Sequence, residues 1–300
     1  MKKIILGIAA ILGCALSFAQ SIPEGRELFP VVYDFATDYE NYWADAKIKT
    51  FDVQNNVYEV FGYTAQGKGL TRTRSDYTVS IKKEGSDFSV SITDYTVIAC
   101  NSDGSPVKKA TRRNASKSMA NQLSGFIEKD LSERLSKWTD DEYQEKIDAV
   151  VTNPDFLGKL AESSSKLYTK KFTEKYNIAG KKIKMSVVLK SIDENHLKND
   201  QILLASAKIA KTELPKEATY EYVAWGYIPN SPFASFIGDG SISIMADDNP
   251  EFKSSNIEIF SSNDVLIEKQ TGDTIEISGT IEDLSFNDAT GKFVCMKIFE

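Results

Sequence analysis

The last thirty residues alternate apolar and polar side chains, and this alternation constrains the fold more than any other feature of the chain. From Thr274 to Ile281 every second residue is isoleucine or glycine, and the alternation resumes from Phe293 to Ile298 after a turn at Asp288–Gly291. A period of two is typical of strands that bury one face. The sequence therefore predicts two long neighbouring strands, an arrangement typical of a small β-barrel.

The first of these strands lies in the segment GDTIEISGTIED, which resembles an OB-fold family of exported bacterial proteins similar to tRNA-anticodon-binding domains. The resemblance implies a barrel domain over residues 178–300. Five further segments have strand patterns, more than a minimal five-stranded barrel requires, which leaves open an insertion or a modified barrel. They are Ile183–Ile192, Gln201–Ile209, Tyr220–Ile228, Ser241–Ala246 and Asn256–Ser261.

The first nineteen residues have the composition of a signal peptide. Lys2 and Lys3 precede an apolar run to Phe18, and the small residues at Ser17 and Ala19 suit cleavage before Gln20. We therefore expect export to the periplasm or the medium. The alternative takes Ile11-Leu12-Gly13-Cys14 as a lipobox, which would anchor a lipoprotein to the membrane through Cys14.

The region from Ile22 to about residue 100 is predicted to be a helix followed by a strand meander. The helix is expected over Asp38–Lys47, where aromatic residues recur at helical spacing. Three strands are expected at Val57–Thr64, Tyr77–Lys83 and Phe88–Ile98, with a hairpin turn at Gly85.

Residues 108–176 are predicted to be helical. An apolar stripe with i, i+3, i+4 spacing runs from Met119 to Trp138. Thr139 and Asn153 have the chemistry of helix N-caps. Packing the long helix on the meander gives a two-layer α+β domain over residues 22–176, with a boundary at Tyr176–Gly180 before the all-β OB-like barrel.

The pattern of this first domain, from about Pro30 to Trp138, resembles an exported family of unknown function with a TATA-box-binding-protein-like fold. The shared features are a helix near Trp43, the hairpin of alternating apolar residues and the long helix that follows. This family implies no catalytic residues.

Charge and cysteine content restrict the partners. Residues 180–300 hold 12 Lys, no Arg and 19 acidic residues, which argues against nucleic acid as a partner of the barrel. Cys100 and Cys295 remain after cleavage at Gln20. They could form a disulfide in an oxidising compartment, or they could be two separate buried thiols, which is the simpler interpretation.

Catalytic patterns are sparse. His196, the one histidine, lies in a polar run typical of a solvated turn, and the sequence contains no Gly-x-Ser-x-Gly elbow. Acid groups such as Asp140–Glu142 leave open a glycan hydrolase that uses two carboxylates. The oxygen-rich segment 239–249 lacks the spacing of an EF-hand loop, so neither a metal nor a cofactor is predicted.

Two surface clusters are candidates for binding. An aromatic cluster in and just after the predicted strand Tyr220–Ile228 could stack against a ligand or could be core; it comprises Tyr222, Trp225, Tyr227, Phe233 and Phe236. A basic cluster before the long helix could contact an anionic surface; it comprises Lys108, Lys109, Arg112, Arg113 and Lys117.

These patterns predict an exported, non-enzymatic binding or envelope-associated protein, with an acid-pair hydrolase of cell-wall glycans as the alternative. The sequence does not identify the partner, and an envelope protein and a glycan are the candidates. Contact with a membrane is expected only if Cys14 is lipidated.

Overall fold

The protein has an α+β fold with two compact units, an antiparallel sheet with helices and a closed β-barrel. The structure, a computed structural model, describes residues 20–68, 72–229, 231–233 and 256–300. The first unit contains the described residues up to Val150 together with Pro232 and Phe233, and the second contains Val151–Ser231 and residues 256–300.

The sheet of the first unit has the strand order β1-β5-β4-β3-β2, and the short strand β6 also pairs with β5. All of its strand pairs are antiparallel. The three predicted strands of the meander are confirmed as β3, β4 and β5, and Gly85 turns between the last two with a φ of 68°. The strands are β1 (Gln20–Ser21), β2 (Asp45–Asp52), β3 (Val57–Gln66), β4 (Thr73–Glu84), β5 (Asp87–Ala99) and β6 (Arg113–Asn114).

The described residues of this unit also form the helices α1 (Phe29–Ala36), α2 (Lys117–Lys137) and α3 (Asp140–Val151), and the last residue of α3 lies just past the unit boundary. The predicted long helix is α2, which buries Ile127, Leu131 and Leu135 and packs against β5. Removing these side chains from water stabilises the two-layer packing by about 2 kcal/mol for each one fully buried.

The helix predicted over Asp38–Lys47 is wrong. The segment begins with a turn, in which the Asp38 carbonyl accepts hydrogen bonds from the amides of Tyr42 and Trp43, and continues into β2. Trp43 is buried, and its indole N–H donates to the carbonyl of Phe35 at 2.9 Å. The ring lies against Gly62, where an added Cβ would come within 2.5 Å of it. The helical spacing of the aromatic residues therefore reflects core packing by a turn and a strand.

The second unit contains a closed barrel with the strand order β10-β11-β9-β8-β7, in which β10 also pairs with β7. Only the β9–β11 pair is parallel among these strands. In the segment GDTIEISGTIED, Gly279 permits a close approach, because a Cβ there would lie 2.5 Å from the Phe299 carbonyl oxygen. The strands are β7 (Lys182–Glu194), β8 (Tyr222–Tyr227), β9 (Ile257–Ser261), β10 (Thr274–Phe286) and β11 (Phe293–Phe299).

Two helices precede the barrel in the second unit, α4 (Pro154–Ser163) and α5 (Lys166–Lys175). Asn153 caps α4 through the amides of Asp155 and Phe156, and α4 packs against β11. The sequence assigned both helices to the first domain and placed the boundary at Tyr176–Gly180. The compact units divide instead after Val150, because the apolar side of α4 packs against the barrel.

The strand predicted at Gln201–Ile209 is wrong, since this segment forms helix α6 (Gln201–Ala210) between β7 and β8. The Asp200 carboxylate accepts hydrogen bonds from the amides of Ile202 and Leu203, which is the chemistry of an N-cap. The leucines and alanines that follow favour a helix. The strand predicted at Ser241–Ala246 lies outside the described residues.

Among the described helices, none has the length and apolar character needed to cross a membrane.

Candidate functional site

The structure divides the predicted aromatic cluster. Trp225 and Tyr227 point to one face of β8, whereas Tyr222 shares the opposite face with the buried Ala224. Phe233 belongs to the first unit, where it is buried against Tyr33 and Phe51 with ring centroids 5.8 and 5.4 Å away. Phe236 lies outside the described residues. Tyr222 therefore does not share a platform with Trp225 and Tyr227.

Trp225 lies on the outer face of the barrel beside two charged side chains. It pairs across strands with Glu258, which in turn pairs with Lys297. Burial raises the pKa of the Glu258 carboxyl, and the Lys297 ammonium donates to Glu217 at 2.8 Å. The tryptophan is half-buried, so a contact between its ring and a ligand stays a prediction.

The predicted basic cluster is exposed in the loop between β5 and α2. One member has a structural partner: Arg112 donates to Asp76 at 3.0 Å, and Arg74 binds the other oxygen of this buried carboxylate at 2.6 Å. The other members are also exposed, with Lys108 and Lys109 in the loop, Arg113 in β6 and Lys117 at the start of α2.

The other residues considered from the sequence have ordinary positions. His196 is exposed in a short 3₁₀ helix, and Asp140–Glu142 form the first turn of α3. Cys100 and Cys295 are separate buried free thiols. The described residues contain no group of three His, Cys, Asp or Glu side chains placed to hold a metal ion.

The second unit has a cleft of about 410 Å³ between α5 and the β10–β11 hairpin, a volume in the range of small-molecule sites. The segment after α5 is held beside β10 at one end of the cleft, because the amide of Gly180 donates to the Ile281 carbonyl at 2.6 Å. At the other end, Lys166 of α5 donates to the Asp288 carbonyl at 2.6 Å.

The floor of the cleft is apolar. Ile178 is fully buried, and Leu284 and Phe286 of β10 are half-buried. The hairpin loop that closes one end is held by Asn287, whose side-chain oxygen accepts from the amides of Ala289 and Thr290. Hydrogen bonds within the hairpin loop therefore hold the end wall.

The rim of the cleft is charged, with a different sign at each end. Lys166 lies at the end nearest the hairpin loop, and Lys170 follows one helical turn later. Glu174 and Asp283 lie toward the end where α5 joins the barrel, and Glu174 is 3.9 Å from Lys170. Such a cleft can hold an apolar group on its floor while the lysines bind an anionic group.

The sequence did not predict this cleft. The residues of α5 that line it recur at helical spacing and are polar, which is also the pattern of a helix face exposed to solvent. This face differs from an ordinary exposed helix face only because it lies opposite Leu284 and Phe286, which are distant in the chain. The α5 residues are Lys166, Thr169, Lys170, Thr173 and Glu174.

The sequence matches no protein-family model and no curated protein. The two resemblances drawn from its motifs therefore stay predictions.

Proposed function

We propose that this is an exported, non-enzymatic binding protein that holds a small amphipathic anion in the cleft between α5 and the β10–β11 hairpin. The observation that carries the proposal is the combination of an apolar floor with two lysines at one end of the rim. The N-terminal signal pattern supports an envelope or extracellular location for the ligand.

The position of the cleft in the barrel also supports binding. In chain order, β10 and β11 are the fourth and fifth strands, and the loop between them forms the end wall. The corresponding loop of OB-fold barrels takes part in binding oligonucleotides and oligosaccharides. The acidic excess of this half of the chain disfavours a nucleic acid, so a smaller anion with an apolar part suits the cleft better.

The first test uses the fluorescent probe 8-anilinonaphthalene-1-sulfonate, which combines apolar rings with one negative charge. We expect Lys170→Glu to weaken probe binding about tenfold, as loss of a charged hydrogen-bonding partner typically does. The matched control is Lys171→Glu, which makes the same charge change at the next position of α5, outside the cleft. Equal effects of the two substitutions would place the probe elsewhere and contradict the proposal.

A second variant blocks the cleft by volume. Thr173→Trp places a large ring over the floor from a half-buried position of α5, and we expect it to abolish probe binding. An unchanged circular-dichroism spectrum and unchanged affinity together would rule out the cleft as the site.

The hydrolase alternative gives a different result. If Glu174 and Asp283 were a catalytic pair, the protein would release reducing ends from purified peptidoglycan, and Asp283→Asn would abolish the release. We expect no release by the unmodified chain. Turnover that depends on Asp283 would replace the binding proposal with the hydrolase.

A further inference from the structure

Helix α6 is apolar yet has no buried residue. Ile202 and Ile209 expose 80% and 84% of their surface, although large apolar residues in helices usually face a core. They are seven residues apart, and Ala205 lies between them at helical spacing, so the three form one exposed stripe. The opposite side, with Leu203 and Leu204, is half-buried.

The exposed apolar surface continues beyond both ends of the helix. Leu197 precedes α6 and Leu214 follows it, and both are exposed. The connection between β7 and β8, which includes α6, therefore exposes four large apolar side chains to solvent.

Both lysines of this segment lie at one end of the stripe. Lys208 and Lys211 lie at its C-terminal end, where Lys211 caps the helix in the left-handed conformation. Of the acids nearby, Asp200 is engaged as the N-cap, and Glu213 is the one acid between residues 201 and 215. This segment therefore has a net charge of about +1, within a half of the chain that is strongly acidic.

We infer that α6 docks on an anionic lipid surface, with Ile202 and Ile209 inserted at the level of the headgroups and Lys208 and Lys211 at the phosphates. Interfacial helices combine an apolar face with lysines in this way, and the lysine stems can lie along the apolar layer while their ammonium groups stay in water. The negative surface potential of anionic lipid attracts such lysines to the headgroups.

The size of the stripe favours lipid over a protein partner. A helix of ten residues is about 15 Å long, so the stripe covers only a small fraction of the roughly 800 Å² that each partner buries in a stable protein interface. Insertion into a fluid lipid layer requires no matching surface. The contact is independent of Cys14 and of the cleft next to α5.

The test measures binding of the full chain to vesicles of phosphatidylglycerol and phosphatidylcholine in equal amounts, by sedimentation and by hydrogen exchange of the α6 amides. We expect vesicles to protect the amides of residues 201–211 from exchange. Ile202→Ser with Ile209→Ser should remove this protection and weaken binding by about tenfold for each isoleucine. The first nineteen residues are identical in all variants, so differences between variants report α6.

The matched control is Ile267→Ser, which removes an isoleucine that is 61% exposed elsewhere in the second unit. It should leave both measurements unchanged. Lys208→Glu with Lys211→Glu should weaken binding to the anionic vesicles and leave the weaker binding to pure phosphatidylcholine unchanged. Protection of α6 without vesicles at high protein concentration would show self-association and overturn the inference, as would equal losses for the Ile267 control.

Discussion

At the scale of single residues, Arg134 holds three carboxylates that belong to different parts of the first unit. Its guanidinium donates to Asp34 and Asp38 at 2.6 Å and to Asp130 at 2.7 Å, with only 18% of its side chain exposed. Burial alone would lower the pKa of Arg134, but the carboxylates outweigh it and raise the pKa above its ordinary value. The cluster therefore links α1 and the turn after it to α2.

We expect Arg134→Met to lower the free energy of unfolding by about 3 kcal/mol, because three partly buried carboxylates would lose their shared cation. Urea denaturation measures the change. Lys137→Met is the control, since Lys137 pairs with Glu133 on the exposed side of the same helix and should lower stability far less than Arg134→Met. A loss below about 1 kcal/mol for Arg134→Met would show that Lys146, which also binds Asp34, suffices to hold the cluster.

At the scale of elements, the sequence predicted the segments whose local chemistry determines their structure. The β4–β5 hairpin follows from alternation and a glycine with positive φ, and α3 begins at a capping box in which Thr139 and Glu142 bond reciprocally. The errors have different causes, namely tertiary packing at Trp43 and a local helix cap that the pattern left unrecognised at α6. Trp43 and Tyr42 have helical spacing but are held by a turn and a strand, and the apolar run of α6 fits either a strand or a helix until Asp200 is recognised as its cap.

The buried side of α2 gives a pH prediction. Glu128 is buried in the layer between α2 and β5, and loss of hydration raises the pKa of its carboxyl, an effect that a hydrogen bond with the Val90 backbone partly offsets. The folded state therefore binds more protons than the unfolded state above the ordinary pKa of about 4.3, so stability falls as the pH rises through this window. Glu128→Gln should raise the stability at pH 7 and remove the decrease in stability with rising pH.

Glu133 on the exposed side of α2 is the control for this prediction, because its pKa is shifted in the opposite direction. A hydrogen bond from Lys137 lowers the pKa of Glu133, so its contribution is present at neutral pH and is lost as the pH falls through the lowered pKa. Thermal unfolding between pH 3 and 7 should therefore show Glu128→Gln and Glu133→Gln shifting stability in opposite directions at neutral pH. The same sign for both would contradict the account of Glu128.

At the scale of the whole molecule, the division into units could not be predicted from the sequence. The composition changes at Tyr176–Gly180, where helices give way to strands, but α4 and α5 belong to the compact unit of the barrel. The candidate cleft depends on this grouping, because one wall is α5 and the other is the β10–β11 hairpin. Local patterns contain no information about which helix packs on which strand when more than 100 residues separate them.

Phe233 provides the last prediction, since it is far from the first unit in the chain yet belongs to its core. The Pro232 carbonyl accepts a hydrogen bond from the Ile48 amide at 2.7 Å, and the Phe233 ring is fully buried. We expect Phe233→Ala to lower the free energy of unfolding of the first unit by about 3 to 5 kcal/mol, through lost transfer energy and the cavity that remains. Hydrogen exchange in β2 and β3 would report this loss.

Phe126→Ala is the control, because Phe126 is 43% exposed on α2 and its removal leaves no comparable cavity. Equal costs for the two substitutions would show that Phe233 does not act as a core residue. Weaker probe binding by Phe233→Ala with unchanged exchange in β2 would instead indicate the ligand contact that the aromatic cluster in the sequence predicted.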